Sequence, residues 1–346
     1  MKIKKIFIVF LLVLMAIAGA SSLLMELFSK EEEIAEITCD VVSEEKIYLA
    51  VGESTRIDNI DSVEDDGVLS LDNGVITGLK AGISKIDVGC TLYEIIVSDL
   101  YTSPKINQDK DYLLCNEYSK EDNELLDTVL SYLIDRAGYG TRAGAVEAAR
   151  FLTLRFKNKL NYFYENGRLD NDGNQDYADG EGRYYHKGLY LNEYKYEELD
   201  VDGIVEGPEV WGCELWSNGA NGELEINGLD CSGFITWCLL NGGYNPGDIG
   251  SGINDNTLDL TDLGQRVSIN NISFSEIKVG DLIGFDGHIG MIIGDDDSSL
   301  YVAQAYWVKD LQVSVYPYAE IYNSDWKYII KMDDFYKADG NLSDMW

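Results

Sequence analysis

The stretch NGLDCSGFITWCLLNGG, residues 227–243, places a cysteine between an aspartate and a Ser-Gly pair. Asp230 is a residue type that caps the N-terminal ends of helices, and the apolar residues after it recur at helical spacing. The sequence therefore predicts a helix that begins beside Cys231. Ser232 and Gly233 are small, so they leave room for a substrate carbonyl group to reach the sulfur.

A thiol at the start of a helix has a suitable environment for nucleophilic chemistry. The positive end of the helix dipole stabilises a thiolate relative to a thiol. The backbone N–H groups of the first turn, that of Cys231 included, can receive the negative oxygen of a tetrahedral intermediate. Cys238 lies further along the same helix and is expected to be a buried core residue. Cys231 is therefore the candidate nucleophile.

The chain has only two histidines, His186 and His288, so only these two are histidine candidates for the catalytic base. His288 lies in residues 278–305, which read as three strands separated by an Asp-Gly turn and an acidic turn. A neutral imidazole at the start of the middle strand can take the proton of the thiol. The amide of Gln304, on the next strand, can orient that ring. We expect His186 at the surface or at the rim of the cleft.

Four motifs in residues 228–305 resemble the NlpC family of papain-like cell-wall cysteine peptidases. They are DCSGF (230–234), VGDLIGF (279–285), GHIGMIIG (287–294) and VAQA (302–305). The resemblance implies an α+β papain-like catalytic domain over residues 211–346, with the cysteine-bearing helix packed on an antiparallel sheet. It assigns Cys231 as nucleophile, His288 as base and Gln304 as the residue that orients the base. The implied activity is hydrolysis of amide bonds in peptidoglycan stem peptides, commonly the γ-D-glutamyl to diamino-acid bond.

The chain departs from the family pattern in two places. The third polar position, often histidine in the family, is Gln304 here, and the tyrosine usually found upstream of the cysteine has no clear match. We expect Trp211 and Trp216 to wall the cleft instead, with Asp230 and Ser232 as further substrate contacts beside the thiol. Glu214 and Glu225 are expected to be surface groups. The chemistry requires no metal and no organic cofactor.

Residues 38–99 form short alternating apolar stretches split by turn residues, which predicts a small antiparallel all-β sandwich. The segments VGES (51–54) and GVITGLKAGISKI (74–86) resemble the bacterial immunoglobulin-like group 2 domain, whose members act as spacers or weak surface binders. Residues 100–120 read as a linker. Residues 121–210 read as a helical and acidic-loop extension of the catalytic domain, in which Thr141 can cap the second of two helices.

The first thirty residues predict export. Three lysines precede an uncharged run over residues 6–25, which is long enough to cross a bilayer as a helix, and glutamates follow it. An uncleaved anchor with the bulk of the chain outside the cell is favoured. A secretory signal peptide with a small-residue cleavage site at residues 18–20 is the alternative. Both interpretations export the protein, either as a single-pass membrane protein or as a secreted one.

The chain has a formal net charge of -34 and no cluster of basic residues that could bind along a phosphate backbone. This composition argues against a nucleic acid partner. Residues 170–181 (DNDGNQDYADGE) are similar to a calcium loop, but Gln175 stands where that loop needs glycine, so a solvated acidic loop is expected. Among the six cysteines of an exported chain, Cys39 and Cys90 are candidates for a disulfide.

Two other functions fit the same sequence. A wall amidase, or an acyl- or glutamyl-transferring enzyme, can use the same scaffold, although a transglutaminase-type site would need an aspartate as its third member. A wall-binding surface protein with an inactive catalytic domain is a possibility from another class. The presence of both Cys231 and His288 in their motifs favours the peptidase.

Overall fold

The computed structural model describes residues 43–64, 66–106, 109–163, 185–186, 206–207, 211–217, 223–244 and 263–342. Over these ranges the protein is a mixed α+β structure. The expected anchor at residues 1–30, the acidic loop at residues 170–181 and Cys39 lie outside them. Within the described ranges, no helix is both long enough and apolar enough to cross a membrane.

The N-terminal module is a two-sheet sandwich. Its strands are β1 (Ser43–Ala50), β2 (Ser54–Arg56), β3 (Ser62–Val63), β4 (Leu69–Asp72), β5 (Val75–Gly78), β6 (Gly82–Val88) and β7 (Thr91–Ser98). One sheet has the order β1-β7-β6-β3 and the other β2-β5-β4. Asn73 and Gly74 both have positive φ, as expected for the tight turn that joins β4 to β5.

The sandwich differs from the expected antiparallel arrangement at one edge, because β1 pairs with β7 in parallel. The chain reaches this arrangement by passing through the other five strands between the two partners. Apolar residues from both sheets, including Ile76, Ile86 and Ile95, are fully buried between them. The module therefore has a core of its own.

Two helices follow the sandwich, as the apolar spacing predicts. Helix α1 (Lys120–Ala137) begins with a capping box between Ser119 and Asp122, and α2 (Arg142–Arg150) is capped by the side chain of Thr141. A π-helical turn, Phe151–Arg155, continues α2. Arg155 of this turn forms an ion pair with Glu53 of the sandwich at 2.9 Å, so the sandwich packs directly against the helical part.

Six short strands lie in the described parts of the next segment. They are β8 (Asn161–Tyr162), β9 (Tyr185–His186), β10 (Glu206–Gly207), β11 (Glu214–Ser217), β12 (Glu223–Ile226) and β13 (Gly228–Leu229). Strands β11 and β12 pair antiparallel, whereas β8 pairs with β13 in parallel. Strand β8 therefore lies directly beside β13, which ends two residues before Cys231.

The C-terminal part joins helix α3 (Cys231–Asn241) to a six-stranded antiparallel sheet. The strands are β14 (Gln265–Ser268), β15 (Leu282–Phe285), β16 (His288–Asp295), β17 (Ser299–Tyr306), β18 (Asp310–Pro317) and β19 (Tyr328–Lys331), and a short helix α4 (Tyr318–Ile321) follows β18. Their spatial order is β14-β19-β15-β16-β17-β18. Helix α3 packs against β16 and β17, the adjacent strands that carry His288 and Gln304.

Strand β16 is buried on both faces, which explains its nearly continuous apolar sequence. Ile289, Met291 and Ile293 belong to the large core that includes α3, while Ile292 belongs to a second core on the opposite face with Trp326. A strand held from both sides is a rigid support for the residue at its first position.

A disulfide joins Cys115, before α1, to Cys213, before β11. Cys90 is also disulfide-bonded, and Cys39, the partner considered from the sequence, lies outside the described residues. Of the cysteines that the structure describes, Cys231 and Cys238 are the two outside disulfides. Oxidised pairs of this kind are typical of exported proteins.

Candidate active site

Helix α3 begins at the candidate nucleophile, as the sequence predicts. Asp230 has the extended backbone of a capping residue, and its carboxylate accepts the N–H of Gly233 at 2.6 Å. The same oxygen accepts the Ser232 hydroxyl at 2.9 Å. Asp230 and Ser232 were expected to contact the substrate. In the structure both are buried, and their side chains form the hydrogen bonds that fix the start of the helix.

The thiol of Cys231 contacts the turn that leads into β16. The side chain is 4% exposed, and its sulfur lies 4.0 Å from the carbonyl oxygen of Gly287. Gly287 has φ of 82°, a conformation that favours glycine, and forms the predicted turn with Asp286 between paired residues Phe285 and His288. Because Gly287 directly precedes His288, this contact brings the helix start to the strand of the base.

His288 and Gln304 form the hydrogen bond that the sequence predicts. The Nε2 atom of His288 lies 2.6 Å from Oε1 of Gln304, and both side chains are buried. An amide oxygen only accepts, so Nε2 carries the proton and Nδ1 is the nitrogen with an available lone pair. The ring is thereby set in the tautomer in which Nδ1 can act as a base.

The amide of Gln304 is itself held by the neighbouring strand. Its Nε2 donates to the hydroxyl of Ser314 at 2.9 Å and to that of Tyr316 at 3.4 Å, both on β18. With Nε2 bonded to these two hydroxyls, Oε1 is the end of the amide that faces the histidine. The orientation of His288 therefore depends on three consecutive strands of the sheet.

The imidazole of His288 is enclosed by aromatic rings. Phe285, Tyr306 and Trp326 have ring centroids 5.1, 4.7 and 5.5 Å away, and the Trp326 ring is nearly parallel to it. Burial lowers the pKa of His288 below its ordinary value, against a smaller opposite effect from the Gln304 hydrogen bond and the negative charge of Asp230. The neutral, basic form is therefore favoured near pH 7.

A cleft of about 680 Å³ opens beside His288. Its wall is completed by the side chains of Tyr162, Glu225, Phe285, Asp286, Tyr306 and Trp307. A volume of this size accommodates a segment of a peptide substrate. The cleft is thus mainly aromatic and acidic.

None of these six wall residues was identified from the sequence, and two of them are instructive. Tyr162 lies on β8 and pairs with Leu229, two positions before the nucleophile, although the sequence offered no clear upstream tyrosine. Glu225 was expected to be a surface group, but it is half-buried and lines the cleft. The strand-type pattern LNYF at residues 160–163, directly after the helical segment, was the signal that could have found Tyr162.

Of the two tryptophans expected to line the cleft, Trp211 lies elsewhere, and the side chain of Trp216 lies outside the described part of the structure. Trp211 is buried, with its ring centroid 6.1 Å from that of Trp237, so it packs on α3 in the core. Trp216 and His186 have backbones in β11 and β9, and their side chains lie outside the described part of the structure.

No protein-family model matches the chain, and no solved structure matches it. Within the described ranges, no group of three or more histidine, cysteine or acidic side chains is arranged to hold a metal ion. The interpretation of the site therefore depends on its own geometry: a thiol at a helix start and, on the adjoining strands, a buried histidine held in one tautomer by a glutamine.

Proposed function

We propose that this chain is an exported cysteine endopeptidase with a papain-like catalytic domain, acting on the stem peptides of peptidoglycan. The bond between His288 and Gln304 is the observation that carries the proposal, since it leaves Nδ1 as the basic nitrogen of a buried ring, one residue after the Gly287 carbonyl that the Cys231 thiol contacts. The favoured bond is the γ-D-glutamyl to diamino-acid amide.

The reaction follows from these groups. Nδ1 of His288 takes the thiol proton, and the sulfur of Cys231 attacks the carbonyl carbon of the scissile amide. The negative oxygen of the tetrahedral intermediate receives hydrogen bonds at the start of α3, where the helix dipole is positive. The imidazolium then gives its proton to the leaving amine, and a thioester remains. Water, deprotonated by His288, cleaves the thioester to release a carboxylic acid and restore the thiol.

Gln304 and Asp230 divide the supporting role between them. Gln304 holds the ring through a neutral amide, so it orients the imidazolium without offering it a full negative charge. The carboxylate of Asp230, at the helix start, acts on His288 through space and favours its protonated form. Asp230 therefore supplies part of the electrostatic support that an anionic third residue would give.

The proposed location is outside the cell. Residues 1–30 would serve as a membrane anchor, or as a signal if they are cleaved, and the sandwich, of the bacterial immunoglobulin-like type, would hold the catalytic domain away from the membrane. The Cys115–Cys213 disulfide supports export, because such bonds persist in oxidising compartments.

Digestion of purified peptidoglycan tests the proposal. The wild-type protein, Cys231→Ala and Cys238→Ala would be incubated with walls of several stem types, and released fragments identified by mass spectrometry. We expect stem cleavage by the wild type and by Cys238→Ala only. New amide products would instead indicate a transferase. Folded wild-type protein that binds wall material and cleaves none of it would contradict the proposal and favour a binding protein.

A further inference from the structure

The cleft beside His288 has a one-sided charge. Of its described wall residues, Glu225 and Asp286 are acidic and none is lysine or arginine. The base itself is neutral near pH 7, because burial lowers the pKa of His288. A substrate group that enters this cleft therefore meets two carboxylates, with no positive side chain among the described wall residues to balance them.

Glu225 is the stronger of the two candidate contacts. It lies on β12 opposite Leu215 and is half-buried in the cleft wall. Its carboxylate has no hydrogen bond or ion pair with any residue that the structure describes. A partly buried carboxylate without a cationic partner is unfavourable by itself and becomes favourable when a cation binds.

Asp286 adds a second negative charge at the mouth of the cleft. Its side chain is fully exposed, and the guanidinium of Arg266 approaches it only to 4.0 Å. Exposed pairs at such a distance contribute little, and this arginine is already placed over the ring of Tyr328 at 3.8 Å. The charge of Asp286 thus remains available to a ligand.

Aromatic faces lie next to these carboxylates. Trp307 is 69% exposed on the turn after β17, and its ring meets that of Tyr306 edge to face. Tyr162 forms part of the same wall. Protonated amines bind to carboxylates and to the faces of tryptophan and tyrosine rings, so the two kinds of wall residue favour the same ligand group.

We infer that the cleft recognises a protonated amine on the substrate residue next to the scissile bond, with Glu225 as the main contact and Asp286 and Trp307 as secondary ones. The inference rests on the proposed function and narrows its substrate class to stem peptides whose diamino acid has an unmodified amine. Acylation of that amine, as in a cross-linked stem, removes the charge and adds bulk. The enzyme would therefore act on stems that are not cross-linked through this amine.

The test compares two synthetic stem peptides that differ only in this group, one with a free amine and one with an acetylated amine. Using the full chain, kcat/KM is measured for both. We expect the free amine to be preferred by roughly tenfold or more, as is usual for a hydrogen bond to a charged group. Glu225→Gln should bring the ratio towards one, and Asp286→Asn should lower it by a smaller factor.

Glu214→Gln is the matched control. Glu214 lies on the same β11–β12 hairpin and is exposed, and it is not part of the described cleft wall. The control should keep the wild-type preference. A preference that survives Glu225→Gln would overturn the assignment of Glu225.

Equal cleavage of the two peptides by the wild type would overturn the inference while leaving the peptidase intact. Tighter binding of sugar-linked stems than of the free peptides, with no effect of acetylation, would also overturn the inference. It would mean that the cleft recognises a hydroxyl-rich ligand instead of an amine. If folded wild-type protein cleaves neither peptide and Cys231→Ala changes nothing, the proposed function itself fails and the inference fails with it.

Discussion

Cys231 and Cys238 lie on the same eleven-residue helix, yet their surroundings differ. Both are buried, at 4% and 0% exposure, and neither is disulfide-bonded. Cys238 packs among apolar residues in the middle of the helix, and burial raises the pKa of its thiol well above the ordinary value. Cys231 starts the helix, beside the Asp230 cap and the turn that leads to His288. Burial alone therefore does not separate the two cysteines, whereas their positions on the helix and the contact of Cys231 with the turn before His288 do.

Replacing each thiol by alanine gives the largest expected difference. Cys231→Ala removes the proposed nucleophile, so we expect kcat/KM on a stem peptide to fall by roughly 10⁴-fold or more. Cys238→Ala leaves the site intact and should keep turnover, at a cost of about 1 kcal/mol in the free energy of unfolding. Steady-state kinetics and thermal melts of both variants measure this. Equal losses of activity would remove the distinction between the two cysteines.

The base should matter nearly as much and should set the acid limit of activity. His288→Ala should reduce kcat/KM by roughly 10²- to 10⁴-fold. Because burial lowers the pKa of His288, its neutral form persists to more acidic pH than that of an ordinary histidine. Activity should therefore be maintained below pH 6.5 and fall only as pH drops through the lowered pKa.

Gln304→Glu tests the same titration by shifting the pKa of His288 in the opposite direction. A carboxylate at this position stabilises the imidazolium and raises the pKa of His288, so the acid limb should move to higher pH. Ser314 and Tyr316 can still donate hydrogen bonds to the new side chain. An acid limb that does not respond to this substitution would mean that His288 is not the titrating base.

Removing the orienting amide should have an intermediate effect. We expect Gln304→Ala to lower kcat/KM by roughly 10- to 100-fold, below the loss of the base itself, since the ring remains but its tautomer and direction are no longer fixed. Gln304→His, which restores a polar partner, should recover part of the rate. Measurement of kcat and of the pH profile separates this role from simple destabilisation. Full activity in the alanine variant would contradict the positioning role.

The disulfide should affect stability more than chemistry. Replacing Cys115 and Cys213 together by alanine should lower the free energy of unfolding by about 2–5 kcal/mol. The segment it anchors is bonded to Asn227 ahead of the nucleophile, so a smaller effect on turnover is also expected. Denaturant unfolding and kinetics on the same preparation measure both. A loss of activity as large as that of Cys231→Ala would show that the helix start depends on this bond.

Short-range chemistry explains why the three candidate catalytic residues could be predicted from the sequence. The Asp230 cap, the Asp-Gly turn before His288 and the alternation along β17 each depend on residues a few positions apart. The mixed α+β class is confirmed, whereas the papain-like architecture was implied by the resemblance of the four motifs and stays a prediction. These signals placed the thiol, the base and the orienting amide on the elements where the structure has them.

The rest of the cleft depends on contacts between distant parts of the chain. Tyr162 reaches the cleft only because β8 pairs with β13 across a long insertion, and no local pattern encodes that pairing. Trp211 was expected in the cleft wall, but it is buried because Trp237 offers it a partner in the core. The Cys115–Cys213 disulfide could not be predicted from the sequence either, since cysteine spacing alone does not determine disulfide connectivity.

Trapping a thioester on Cys231 is the most direct test of the claim that this cysteine is the nucleophile. The wild-type chain would be mixed with a stem peptide, quenched in acid within the first turnover, and digested for mass spectrometry of the peptide that contains Cys231. We expect an added mass equal to the acyl half of the substrate on Cys231, absent from Cys238 and absent in Cys231→Ala. Cleavage that proceeds unchanged in Cys231→Ala would contradict it.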